Sequence, residues 1–144
     1  MFDFTRFLPN HVNRTGVRLA TAFGNELERF DLTVPMWRVL GVLWQARELK
    51  VTDLIADTTI EQSTLSRLLV AMEKRGLLAR RRAGADGRAV LVSLTPAGRK
   101  LTKILIPLAL RNERVALRGF SPEEVEQLYG MLNRVFENAA DLLP

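Results

Sequence analysis

No cysteine occurs anywhere in the sequence, which excludes disulfides, thiolate nucleophiles and cysteine-based redox sensing. Histidine is nearly absent too, with one copy, so a transition-metal site is not expected and no metal or cofactor is predicted. There is no phosphate-cradling glycine loop. The only cluster of carboxylates, Glu123, Glu124 and Glu126, reads as a helix N-terminus complementing its dipole. These shortages leave little for an enzyme to work with, and no catalytic residue is assigned. No apolar run approaches the ~18 residues of a membrane-spanning helix, so a soluble protein without a membrane partner is expected. The N-terminus, with Asp3 early and no apolar segment of the secretory type, points to a cytoplasmic location.

What is present is a chain of 144 residues, 47% hydrophobic and 26% charged, consistent with one ordinary domain that buries roughly 70% of its unfolded surface. Its net charge of +5 is unevenly placed. From Glu61 to Lys100 nine basic residues stand against three acidic ones, while the remaining 104 residues carry 12 basic and 13 acidic groups. Positive charge focused on one short segment is the footprint of a phosphate-binding surface, although a charge run by itself is usually a solvated face.

That segment opens with an amphipathic helix. Thr59 with Gln62 fits the S/T-x-x-E/Q capping box, which predicts a helix start at Thr59. Leu65, Leu68, Leu69 and Met72 fall on one apolar stripe, leaving Gln62, Ser63, Thr64, Ser66 and Arg67 facing outward. Such side chains suit base edges and phosphates of a major groove, but any surface helix shows a polar outer face. The following stretch separates the two readings. Gly76 is a helix stop, after which Leu77–Arg82 and Arg88–Leu94 flank the loop Ala83–Gly87, a β-hairpin with an Asp-Gly pair and glycines at 84 and 87 for positive φ. A polar helix followed by an arginine-rich hairpin reads as a DNA-reading helix and its wing.

The run Asp86-Gly-Arg88-Ala-Val-Leu-Val92-Ser-Leu94-Thr95 matches the D-x-R-x-x-x-[VIL]-x-L-T pattern of the MarR family of winged-helix transcriptional regulators. Ser63-Thr64-Leu65-Ser66-Arg67 likewise resembles the family's recognition helix. More loosely, the resemblance extends over the order of helices along nearly the whole chain. It implies a mainly α fold with a small β-hairpin wing: a winged helix-turn-helix over 33–95, flanked by a helical dimerisation part formed from 1–32 and 96–144, in one domain of 1–144. The function implied is that of a dimeric, sequence-specific regulator of transcription on a pseudo-palindromic operator in double-stranded DNA, a repressor relieved by a small aromatic ligand. Gln62, Ser63, Thr64, Ser66, Arg67, Arg80, Arg82 and Arg88 would contact DNA and Asp86 would stabilise the wing. The alternative is a winged-helix module that binds protein and not DNA, against which three consecutive arginines on a wing argue.

Outside the central segment the sequence carries pattern. Val12, Gly16, Leu19, Phe23, Leu27 and Phe30 form a seam on a first helix from about Asn10 to Arg29. Thr33 caps a second helix over roughly 34–48, and Val51–Thr58 reads as a short third helix with Thr52 as its cap. Thr95-Pro96 starts a long helix that contains Pro107 and stops at Gly119. Ser121-Pro-Glu-Glu124 is a second capping box, opening a helix whose stripe runs from Val125 through Phe136. Trp37 and Trp44, seven apart, share one face of the second helix. The residues favour core packing for this pair, while the family resemblance implies a ligand pocket there. The outer seams either join a second copy of the chain, as the resemblance implies, or pack within one monomer.

Overall fold

A computed structural model describes residues 1–144. A short 3-10 turn, Phe4–Arg6, leads into α1, Leu8–Leu27. This helix begins before the expected Asn10 because Pro9 sits harmlessly in a first turn whose N–H groups lack intrahelical partners. Only its C-terminal end is buried, at Phe23 and Leu27, while Val12, Val17 and Leu19 of its seam and flank remain exposed. After a second 3-10 turn, Glu28–Phe30, Asp31 adopts φ 53 and reverses the chain. Thr33 then caps α2, Val34–Gln45, its hydroxyl oxygen accepting from the Met36 N–H at 3.4 Å. Val39, Leu40 and Leu43 of α2 are inaccessible to solvent, as expected of a central helix.

The second helix stops at Gln45, short of the expected residue 48, because the chain is drawn into a sheet. Leu49–Lys50 forms β1, pairing with β3 (Ala89–Leu94) through Leu49↔Val92 and Lys50↔Leu91. A two-residue strand is too short to show the alternation by which strands are read from sequence. The third strand, β2, is Leu78–Ala83, and the antiparallel order is β1-β3-β2. Helix α3, Val51–Thr58, follows β1 directly with Lys50 at its N-cap and no side-chain cap, so Thr52 does not cap it.

Helix α4 runs from Gln62 to Lys74 and buries Leu65, Leu69 and Met72. The wing strands follow, and α5 spans Pro96–Ala116 with Pro107 inside it. Thr95 fastens this junction: its hydroxyl donates to the Gly76 carbonyl and accepts from the Gly98 N–H at 3.0 Å, while its own N–H reaches the Leu77 carbonyl at 3.1 Å. Gly98 lies so close beneath the wing that a Cβ there would stand 1.9 Å from the Leu77 carbonyl oxygen. Helix α6, Pro122–Ala139, opens with the expected capping box, Ser121 N–H to Glu124 at 2.8 Å and Glu124 N–H to Ser121 Oγ at 3.1 Å.

The chain divides into two compact units, Met1–Leu110 and Arg111–Pro144. The first holds the core, in which Leu27, Leu40, Leu54, Leu65, Val92 and Leu105 meet from both ends of the unit's sequence. In the second, Tyr129 donates its hydroxyl to Glu113 at 2.6 Å, and no residue of α6 is buried. No helix is long and apolar enough to cross a membrane.

Candidate nucleic-acid interface

Helix α4 does not start at Thr59. That residue has φ 55 and closes α3, its N–H bonded to the Ile55 carbonyl, a left-handed conformation that an N-cap does not take. Glu61 is the cap instead. Its carboxylate accepts from the Ser63 N–H at 3.2 Å, from the Ser63 hydroxyl at 2.5 and 2.7 Å, and from the Thr64 hydroxyl at 3.2 Å. The Ser63 hydroxyl and N–H, with the Thr64 hydroxyl, hold the Glu61 carboxyl below the usual glutamate range. One turn on, the Ser66 hydroxyl donates to the Gln62 carbonyl at 3.0 Å. Gln62, Ser63, Ser66 and Arg67 are exposed and Thr64 is half-buried, so the expected outward face is on the surface.

The wing is braced by its own arginines. On β2, Arg80 and Arg82 lie opposite Val92 and Val90 of β3, and Arg81 opposite Leu91, so the first and third share a face and the second points the other way. Arg80 reaches back to Glu73 of α4 with two hydrogen bonds of 2.6 and 2.9 Å, and Arg81 grips Glu48 with two of 2.6 and 2.8 Å. The Arg81 guanidinium lowers the Glu48 pKa, and the carboxylate raises that of Arg81. Arg75, at the end of α4, donates to the carbonyls of Phe30 and Asp31. Arg80, expected from sequence to face phosphates, is bonded here to Glu73 and so links wing and helix. Arg67 and Arg82 are exposed and make no ion pair, and Arg88 extends from the loop with its side chain 88% exposed.

Asp86 organises the loop. Its carboxylate accepts from the Arg88 N–H at 3.2 Å and lies 3.4 Å from the Arg88 Nε, between Gly84 at φ 91 and Gly87 at φ 63. Between wing and α4 lies an open cleft of about 440 Å³ whose lining includes Lys50, Thr52, Ser66, Arg80, Arg88 and Val90. Lys50 and Thr52 were not among the expected site residues. Only the pairing of β1 with β3 brings them beside the wing, and no local sequence signal announces that pairing. Its cations and hydroxyls stand beside the apolar Val51, Leu69, Ala89 and Val90, a mixed lining whose donors suit a phosphodiester backbone.

Trp37 and Trp44 are half-buried against the core and have different partners. Trp37 meets Phe23 edge to face with ring centroids 5.4 Å apart, whereas the Arg99 guanidinium lies 5.7 Å from the centre of the Trp44 ring.

The chain is similar to known proteins in both sequence and fold. A model of the MarR family matches residues 30–89. Over 111 residues the chain is 30% identical to the organic hydroperoxide resistance transcriptional regulator of Bacillus subtilis, covering 77% of this chain and 74% of that protein. A MarR family transcriptional regulator from Silicibacter pomeroyi has a similar structure, with a TM-score of 0.83 and 30% identity, covering 92% of this chain and 89% of that one. BpsR of Bordetella bronchiseptica, solved to explain regulation of its DNA binding by 6-hydroxynicotinic acid, gives a TM-score of 0.84 at 27% identity, covering 94% and 96% of the two chains.

Proposed function

The chain belongs to the MarR family of transcriptional regulators, and we propose that it works as a homodimer that binds a pseudo-palindromic operator in double-stranded DNA and represses transcription until a small aromatic ligand releases it. The observation that carries the reading is the grouping of Arg67, Arg82 and Arg88 with the exposed polar face of α4 on one helix-and-wing unit. Helix α4 enters the major groove with Gln62, Ser63, Thr64, Ser66 and Arg67 toward base edges and phosphates. The wing carries Arg88 into the adjacent minor groove, whose narrow stretches attract arginine, and Arg82 meets phosphate. A protein-binding winged helix would gain nothing from these cations.

Dimerisation is supported by apolar surface. Helix α6 exposes Tyr129, Met131, Leu132, Val135 and Phe136, and α1 exposes Val12, Val17 and Leu19. Exposed apolar helix faces of this kind mark interfaces, and a second copy of the chain is the occupant that places two α4 helices one DNA turn apart. For the ligand, the support is the regulation of BpsR by an aromatic acid, together with two half-buried indoles on α2 and a guanidinium against one of them. By linkage, a ligand that weakens DNA binding is itself weakened equally by operator, on the usual scale of ~5- to 150-fold.

Selection of bound fragments from genomic DNA, followed by binding titrations over a salt series, tests the reading. Enrichment of a two-fold symmetric motif with steeply salt-dependent affinity is expected. A protein that enriches no fragment and shows no salt-dependent binding is not a DNA-binding regulator.

A further inference from the structure

At the entry to α4, the hydroxyls of Ser63, Thr64 and Ser66 donate their hydrogens inward. Ser63 and Thr64 donate to the Glu61 carboxylate, and Ser66 donates to the Gln62 carbonyl. What Glu61, Ser63, Thr64 and Ser66 present outward is therefore oxygen lone pairs. A carboxylate has about four acceptor sites and each hydroxyl two, so capacity remains after these internal bonds. Gln62 and Arg67 are the donors on the same face.

The N-terminal residues of a recognition helix are the ones that contact base edges. In the major groove the amino groups of cytosine N4 and adenine N6 offer hydrogens, whereas guanine N7 and O6 and thymine O4 are acceptors. An acceptor cluster pressed against an acceptor edge leaves lone pairs desolvated and unpaired, which costs far more than a missed contact in water. The carboxylate also opposes the phosphates, lowering affinity for every sequence while sharpening the choice among them.

We propose that Glu61, with the Ser63 and Thr64 hydroxyls it orients, is a specificity-determining residue that selects a base presenting an amino group, cytosine or adenine, at one position of each half-site. This rests on the DNA-binding reading above and adds the base chemistry that α4 reads. A residue that only capped the helix would alter stability and leave base preference untouched.

The test is selection of randomised duplex DNA by the full-length protein and its variants, with thermal unfolding measured alongside. The parent is expected to enrich cytosine or adenine at one position per half-site. Glu61→Gln places an amide donor there and is expected to lose about tenfold of that preference, the scale of one good base contact, and to shift toward guanine or thymine at that position alone. Glu61→Asp keeps charge and cap but shortens the reach by one methylene. It is expected to remain folded and to lose part of the preference. Arg82→Gln is expected to weaken binding to all sequences with the motif unchanged. If both Glu61 variants enrich the parent's motif, Glu61 is a cap and the proposal is overturned. A parent that enriches nothing overturns the DNA-binding reading itself, an outcome visible without any Glu61 variant.

Discussion

Helices α4 and α6 carry apolar stripes of similar regularity, yet the chain covers one and leaves the other bare. Leu65, Leu69 and Met72 of α4 are at most 1% exposed, whereas Leu132 and Phe136 of α6 stand 44% and 73% exposed. Helix α6 forms for local reasons, with a complete capping box and acidic residues in its first turn. Its stripe nevertheless has no cover of its own. An amphipathic period reports that a helix has a partner surface, and it is silent on whether that surface lies in the same chain. The first unit is thus held by its own packing, while the second leaves the apolar face of α6 open to solvent, the surface to which the proposal assigns a second copy of the chain.

The largest effects that sharpen this contrast should fall in the packed unit. Gly98→Ala places a methyl against the Leu77 backbone, which cannot rotate away as a side chain could. A loss of about 3 kcal/mol or more in urea unfolding is expected, at the upper end for overpacking. A change within ~0.5 kcal/mol would mean that the wing root yields and the first unit is less tightly built. On α6 the opposite response is expected from Leu132→Asp combined with Phe136→Asp. The helix-and-wing unit should still fold, but light scattering at micromolar concentration should give the monomer mass in place of the dimer mass. Operator affinity should fall at least ~10-fold, because two linked half-sites gain from effective concentration and separated ones do not. A dimer that survives both charges would leave α6 without the partner assigned to it.

The two capping boxes show how far the sequence was legible. Ser121-Pro-Glu-Glu124 and Thr59-Ile-Glu-Gln62 satisfy the same pattern, and only the first is a box in the structure. Thr59 is claimed by the end of α3 in a left-handed turn, so the cap passes to Glu61. A local motif lost to its neighbour's termination. The span of helix α3, though not its expected Thr52 cap, the Gly76 stop and the positive φ of Gly84 and Gly87 all follow local chemistry. Strand β1, the Arg81–Glu48 pair and the Arg75 bonds to the Phe30 and Asp31 carbonyls join residues more than thirty apart. Nothing in the spacing of residues encodes such contacts. For the same reason charge counting gave the basic segment its sign but could not say that Arg80 and Arg81 are held by carboxylates while Arg82 is left for a ligand.

That division of the arginines predicts intermediate effects within the helix-and-wing unit. Arg88→Ala should weaken operator binding by about 1 to 3 kcal/mol per half-site, the scale of a specific contact, with loss of preference at the bases under the wing. Arg82→Ala should weaken all sequences alike and flatten the slope of log affinity against log salt by about 1 per contact. Arg80 should depart from both. Reversing the pair, Glu73→Arg with Arg80→Glu, should restore much of the binding that Arg80→Glu alone removes. Failure of the double reversal to restore it would make Arg80 a phosphate contact and return it to the role its sequence position suggests.

The smallest effect expected is at the other brace of the wing. Glu48 is held below the ordinary glutamate range chiefly by its hydrogen bonds from Arg81, and the pair lies at the surface, with Arg81 exposed and Glu48 half-buried. A depressed carboxylate contributes stability that is fully present above its unfolded-state pKa and disappears as pH falls through its folded-state pKa. The raised pKa of Arg81 keeps that partner charged throughout, so the sensitive window lies entirely on the acid side, below the ordinary glutamate value. Thermal unfolding of the parent and Glu48→Gln should therefore differ slightly at neutral pH and converge on acidification. The difference should also shrink in 1 M salt, where the screening length falls to about 3 Å. Exposed pairs contribute little, so the gap will be far smaller than that of Gly98→Ala. A gap that persists unchanged into acid would show that Glu48 acts through packing, and the brace would then belong with the core of the first unit and not with its charged surface.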